Sequence, residues 1–275
     1  MLLPSGNDIT EESPVLVFAE NDGDDESLSQ SAGECYSPNP DYAIGVQSCS
    51  QLRCHRKETF TWMLNICRTL RCPNCVAYYG INYFDRYLSA VPMDKKQLSL
   101  LSWVCLHLAS AHFDTLSNRL SFRDLCSVMR DSYSSNEIHH YIVRVLSVLK
   151  FRLLCPNPFI IAYQLLEKVH LSSLYAYVDR ILILICGQYE SLSVSVLSIV
   201  NFAIGVSWFM INQLESLPPA LLFVSKLLPS DVGKLVSIVD KSNESGLMMA
   251  CKRFYNNGSL KEEEHSSSPV CTVFI

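Results

Sequence analysis

The chain has 275 residues and a formal net charge of −5, and 49% of its residues are hydrophobic whereas 18% are charged. This length suits one large domain or two of modest size, with enough apolar residues for a substantial core. Ten acidic residues precede the first basic residue, Arg53, so that the remainder carries 22 basic residues and 17 of the 27 acidic ones. No dense Lys/Arg stripe is present, and we therefore expect no direct nucleic-acid binding.

The N-terminus lacks the basic start and apolar run of a signal peptide. We therefore expect a soluble intracellular protein whose twelve cysteines are reduced thiols. Residues 194–211 contain no charged residue, and such a stretch reaches the lower length limit for a membrane span. Its interspersed Ser and Asn residues and the lack of basic flanks favour a helix that neighbouring helices bury on all sides.

The two ends of the chain are polar and show little periodicity. We expect residues 1–50 to form a disordered acidic tail and residues 256–275 to form a flexible tail. Ser13, Ser37 and Ser268 each precede a proline in these tails, which makes them candidate phosphorylation sites for proline-directed kinases.

Between the tails, hydrophobic spacing predicts helices joined by short breaks and no strand ladder. The predicted helices are 56–70, 74–89, 94–111, 121–131, 135–149, 157–169, 172–187, 191–212, 218–227, 230–241 and 244–255. Pro156 and Pro158 separate two groups of about five helices each. The pattern indicates two stacked all-α units, residues 51–155 and 156–255.

One carboxylate in this pattern requires an explanation. Ile81, Phe84 and Leu88 recur at helical spacing, and Asp85 lies on the same predicted buried face. An unpaired buried carboxylate costs several kcal/mol or gives up its charge. Asp85 therefore needs a partner, unless it lies at the edge of the face and is simply solvated.

Four segments, in this order and at these separations, resemble the cyclin family, clearly over residues 55–155 and faintly over 156–255. The segments are FTWML (60–64), INYFDRYLS (81–89), LSLLSWVCLHLAS (98–110) and VLSVLKFRLLCPNP (145–158). The resemblance implies an N-terminal cyclin box followed by a degenerate second five-helix repeat. It also implies a structural ion pair between Arg56, early in the first helix of the box, and Asp85. A planar guanidinium suits that role because it can donate two hydrogen bonds to one carboxylate.

The resemblance further implies a non-catalytic regulatory protein whose partner is a cyclin-dependent kinase catalytic subunit. The family's kinase-contacting Lys and Glu are replaced here by Ala111 and Ile142, and the residue next to Ala111 is His112. Ile142 also fits an ordinary core position. Two hypotheses remain open: Ala111, His112 and Ile142 form an apolar kinase-binding surface, or the fold is a scaffold that binds recombination or transcription factors without a kinase.

The family's docking groove for Arg-x-Leu substrate peptides is also altered. Its first-helix residues align with His55, Arg56, Lys57, Glu58 and Thr59, of which only the structural Arg matches. Docking of such peptides through this groove is therefore not expected.

A zinc-binding interaction module is a further alternative. Cys72 and Cys75 have the spacing of a zinc knuckle, but they bracket a predicted turn between helices, where buried free thiols are the favoured interpretation. The sequence contains no Gly-rich phosphate loop, no nucleophile elbow and no His-Glu-x-x-His motif. We therefore expect neither an enzyme nor a bound cofactor.

Within the cyclin family, the chain is most similar to the animal cyclin-like proteins associated with meiotic crossover sites. The similarity depends on NRLSFRDL (118–125), the altered docking groove and the irregular second repeat. It implies a nuclear, chromosome-associated protein with recombination proteins as further partners.

Overall fold

A computed structural model describes residues 37–49, 51–113, 120–129, 132–212, 216–225, 227–242 and 245–257. Within these ranges the regular secondary structure is entirely helical, which confirms the all-α class. The α-helices are α1 (Tyr42–Gly45), α2 (Leu52–Leu70), α3 (Asn74–Ala90), α4 (Leu98–Phe113), α5 (Phe122–Met129), α6 (Ser135–Val148), α7 (Pro158–Lys168), α8 (Tyr175–Cys186), α9 (Val196–Ile211), α10 (Pro229–Asp240) and α11 (Ser245–Asn257). Short 3-10 helices are Lys95–Gln97, Ser172–Leu174, Tyr189–Ser193 and Pro219–Ser225.

Helix α3 is the centre of the first group of helices. It packs against α1, α2 and α4, and every residue from Ile81 to Leu88 is buried. Gly80 lets α3 approach its neighbours closely, because a Cβ there would meet the Met63 sulfur and the Leu106 backbone. Helices α5 and α6 also pack against α4, and α6 makes a smaller contact with α3.

Helix α9 is the centre of the second group, where it packs against α7, α8, α10 and α11. The residues from Ser198 to Ser207 are all buried, which explains why the stretch carries no charge. Gly205 lies against the Phe254 ring, and a side chain there would overlap it. No helix in the described ranges is both long enough and apolar enough to span a membrane.

The chain between the two groups is held by side chains of α3. The Tyr83 hydroxyl donates to the Leu153 carbonyl at 2.8 Å, and Arg86 Nη1 donates to the Arg152 carbonyl at 2.9 Å. Asn157 then accepts from the Phe159 amide as the N-cap of α7. The connection is therefore a fixed part of the fold.

Two sequence-based boundaries need correction. Residues within the predicted tail 1–50 form α1, and the segment Asn39–Cys49, which we call the strap, packs against α3. A four-residue helix is too short to produce a periodic pattern, although Tyr42 is fully buried. The helix predicted over 218–227 is a 3-10 helix, Pro219–Ser225. Ser13 and Ser268 lie outside the described residues.

Candidate functional site

The structure brings Arg56 and Asp85 together. Arg56 Nε lies 3.1 Å from Asp85 Oδ1 and 3.0 Å from Oδ2, and both side chains are at most 2% exposed. This contact joins the first turns of α2 to the middle of α3. The pair is therefore a buried structural ion pair of the kind that leaves an uncompensated charge if one partner is removed.

Further groups complete this site. The Tyr42 hydroxyl donates to Asp85 Oδ1 at 2.9 Å, while Arg56 Nη1 donates to the carbonyls of Cys186 at 2.8 Å and Gln188 at 2.9 Å. We call these five residues the junction. The junction joins the strap and the first group to the end of α8 in the second group. Sequence reasoning missed Tyr42, because it lies in a polar segment without periodicity.

Burial governs the protonation equilibria at the junction. It raises the pKa of the Asp85 carboxyl, and Arg56 and the Tyr42 hydroxyl oppose that rise. Burial lowers the pKa of the Arg56 guanidinium, but Asp85 and Tyr42 more than offset this, and the net pKa is raised. Burial and Asp85 raise the pKa of the Tyr42 hydroxyl, so that it stays protonated as a donor.

The outer face of α4 and α6 contains the residues proposed for partner binding. Ala111 and His112 are exposed near the C-terminal end of α4. Ile142 of α6 is half-buried and packs against the core, as its alternative interpretation required, but the next residue, Val143, is 46% exposed. We define the outer face as six exposed or half-buried residues on three helices: Ala111 and His112 of α4, Phe122 of α5, and His139, Ile142 and Val143 of α6.

Phe122 is an outer-face residue that sequence reasoning did not single out. Its ring centroid lies 6.4 Å from that of His107 in α4 and 6.4 Å from that of His139 in α6. The side chain remains 38% exposed. Its position on α5, between two imidazoles from neighbouring helices, depends on tertiary packing and leaves no signal in local periodicity.

The N-terminus of α6 is fixed by a capping box. The Ser134 hydroxyl accepts from the Glu137 amide, and Glu137 accepts from the Ser134 amide at 2.8 Å. The capping box satisfies two otherwise unpaired amides and holds the helix that presents Val143. The Ser134 amide and hydroxyl both donate to the Glu137 carboxylate and lower its pKa.

The segment that aligns with the family's docking groove has a polar surface. His55 Nδ1 lies 3.2 Å from Glu58 Oε2, while Arg56 turns inward to Asp85. An adjoining open pocket of about 260 Å³ is lined by Glu58, Thr59, Trp62, Ser99, Ser102 and Trp103. Its two indoles meet edge to face, with centroids 4.6 Å apart.

Cys72 and Cys75 lie where α2 turns into α3, together with Cys67 at the end of α2. Burial raises the pKa of Cys67 to about 12 and that of Cys75 to about 11, so both remain neutral thiols. Over the described ranges, no three His, Cys, Asp or Glu residues are grouped as metal ligands would be.

Part of the chain is similar in sequence to proteins of one known family. Residues 27–154 match the family described as "Cyclin, N-terminal domain". The chain is 39% identical over 121 residues to G1/S-specific cyclin-D3 of Bos taurus, and 32% identical over 132 residues to G1/S-specific cyclin-D2 of Rattus norvegicus. These matches cover 44% and 45% of this chain and only 40% and 45% of the respective relatives.

Solved structures extend the likeness in fold beyond that segment. The X-ray structure of a viral cyclin from herpesvirus saimiri is similar with a TM-score of 0.56 and 17% identity, over 73% of this chain and 86% of that chain. A chain from the yeast RNA Pol II CTD kinase CTDK-1 complex has a TM-score of 0.56 and 12% identity, over 75% of each chain. The cyclin-like fold therefore includes helices of the second group.

Proposed function

We propose, from the match of residues 27–154 to the cyclin N-terminal domain, that this protein is a non-catalytic regulatory subunit that binds a cyclin-dependent kinase. The outer face, formed by residues of α4, α5 and α6, is the proposed contact. The observation that carries the proposal concerns the two positions where the family resemblance implies charged kinase contacts, Ala111 and Ile142. Ala111 is exposed, Ile142 is half-buried, and its neighbour Val143 is an exposed apolar residue.

The chemistry of this face supports a non-standard interface. A Lys and a Glu would contact a partner by charge, whereas Ala111, Phe122 and Val143 contact it by burial of apolar surface. Such a contact requires a partner with an apolar surface of complementary shape, and it depends less on ionic strength than a charged contact does.

The biological setting forms a second part of the proposal. NRLSFRDL and the altered docking segment support action in meiotic crossover designation, in the nucleus and on chromosomes with recombination proteins. Similarity to G1/S-specific cyclins supports a mitotic cell-cycle setting instead. Imaging the tagged protein in meiotic cells distinguishes the two settings. Discrete chromosomal foci would support the meiotic setting, and the absence of foci during late recombination would contradict it.

Affinity purification against a panel of cyclin-dependent kinases tests the binding proposal. We expect the full chain to retain a kinase at micromolar concentration and Ala111→Asp or Val143→Asp to weaken retention about tenfold or more, because each would bury an unpaired charge. Leu197→Asp in α9 is the matched control, since Leu197 is an apolar residue 57% exposed on the second group.

Two outcomes would contradict the proposal. If the full chain retains no kinase, the scaffold hypothesis replaces it. If a kinase is retained and Leu197→Asp weakens retention as much as Val143→Asp does, the contact does not lie on the outer face.

A further inference from the structure

Ser37 lies two residues before the strap. Its side chain is exposed and Pro38 follows it directly. This Ser-Pro order is the substrate pattern of proline-directed protein kinases. Ser13 and Ser268 lie outside the described residues, whereas the contacts of the strap that follows Ser37 are known.

The first of these contacts is the upstream anchor of the strap. The Asn39 amide donates to the Ser89 hydroxyl oxygen at 2.9 Å, and that hydroxyl donates to the Asp85 carbonyl at 2.7 Å. Ser89 lies in the last turn of α3, which ends at Ala90. The strap therefore begins against the C-terminal end of the helix that carries Asp85.

The remaining anchors follow within ten residues. Besides the Tyr42 hydrogen bond at the junction, the Ala43 amide donates to the Tyr189 hydroxyl at 3.0 Å. Gln47 Nε2 donates to the carbonyls of Leu88 and Val91, both at 2.6 Å. Within the strap, the Asn39 contact is the most upstream of these anchors. Its loss loosens the first residues of the strap, while the anchors from Tyr42 onward remain.

We propose that Ser37 is a phosphorylation site for a proline-directed kinase and that its phosphorylation releases the upstream end of the strap. The Ser37 hydroxyl oxygen attacks the γ-phosphorus of ATP, the bond to the β-phosphate oxygen breaks, ADP leaves, and the hydroxyl proton passes to a base of the kinase. The product carries up to two negative charges and three strong acceptor oxygens on Ser37.

The backbone next to Ser37 explains why a phosphate there would loosen the strap rather than tighten it. A serine side chain can accept from the amide two residues on. Since Pro38 has no amide hydrogen, the Asn39 amide is the nearest downstream backbone amide that can donate to the phosphate. The phosphate therefore competes with Ser89 for the Asn39 amide. It also lies near the C-terminal end of α3, where the helix dipole disfavours negative charge.

Hydrogen exchange measured by mass spectrometry on the full chain tests this inference without any bound partner. The protein is treated with ATP, Mg²⁺ and an active cyclin-dependent kinase complex, and Ser37→Ala, which retains Ser13 and Ser268, is treated identically. We expect phosphate on Ser37 and about tenfold faster exchange over residues 39–42, the upstream end of the strap, in the wild type alone. Exchange over 196–211, in the core of the second group, should not change.

Two further forms of the protein separate the loss of the Asn39 anchor from the action of a kinase. Ser89→Ala removes the anchor without a phosphate and should accelerate exchange over residues 39–42 to a similar degree. Phosphoserine inserted at position 37 during translation tests the structural effect independently of any kinase. Phosphorylation of Ser13 or Ser268 without Ser37, or unchanged exchange over residues 39–42 with phosphoserine at position 37, would overturn the proposal, whatever the outcome of the kinase-binding experiment.

Discussion

The junction and the outer face both involve the first group of helices, but they follow different physical rules. At the junction, Arg56 and Asp85 are buried and hydrogen-bonded to each other. Three further hydrogen bonds complete the site: Asp85 accepts one from Tyr42, and Arg56 donates two to carbonyls of the second group. On the outer face, Val143 is exposed and Phe122 is bounded by imidazole rings. Buried polar groups are constrained by the need for partners, whereas exposed positions can change with the binding partner.

This difference explains which part of the family resemblance persists. Replacing one member of the junction leaves a charge in an apolar environment, so that substitutions there carry a large cost. Replacing a charged surface residue by Ala111 or a half-buried Ile142 costs the fold little. A helical framework of this kind can therefore carry a changed outer face.

The largest expected effect is the loss of Arg56. Arg56→Ala should lower the free energy of unfolding by about 3–5 kcal/mol, because the Asp85 carboxylate would remain buried without its partner. Urea unfolding of Arg56→Ala, Asp85→Ala and the double variant measures this loss and the coupling energy between the two residues. Additive single losses would show that the two side chains do not interact energetically.

A smaller effect is expected for the strap. Tyr42→Phe keeps the buried ring but removes the hydroxyl that donates to Asp85, and should cost about 1–2 kcal/mol. Urea unfolding of Tyr42→Phe measures this loss in the free energy of unfolding. Tyr177→Phe is the control, since Tyr177 is 41% exposed and should give no measurable change.

The α6 capping box is expected to contribute about as much. Ser134→Ala should lower the free energy of unfolding by about 1 kcal/mol. Since the pKa of Glu137 is lowered below its usual 4.5, the carboxylate's contribution is present above pH 4.5 and fades as the pH falls through its value in the folded protein. A difference in the free energy of unfolding between wild type and Ser134→Ala that grows below pH 4 would contradict this.

The smallest effect on stability is expected on the outer face itself. Val143→Asp should change the free energy of unfolding by no more than about 0.5 kcal/mol, because the side chain is half in solvent. Thermal unfolding checks this directly. A loss of several kcal/mol would mean that Val143 belongs to the core, and the binding experiment would then need another variant.

Most of the fold could be predicted from hydrophobic spacing, because long amphipathic helices such as α2 and α3 leave a periodic pattern. Asp85 could be linked to Arg56 through the family resemblance, since a buried carboxylate demands a partner. Tyr42 and Phe122 could not be found in this way. Tyr42 lies in a four-residue helix, and Phe122 acquires its position from α4 and α6, which local sequence does not encode.

The most direct test of the central claim is hydrogen exchange on the full chain with and without the kinase that it retains. The account predicts protection over residues 98–113 and 135–148, which contain the outer face, and none over 229–240 in the second group. Protection confined to the second group, or a kinase panel from which nothing binds at micromolar concentration, would contradict it.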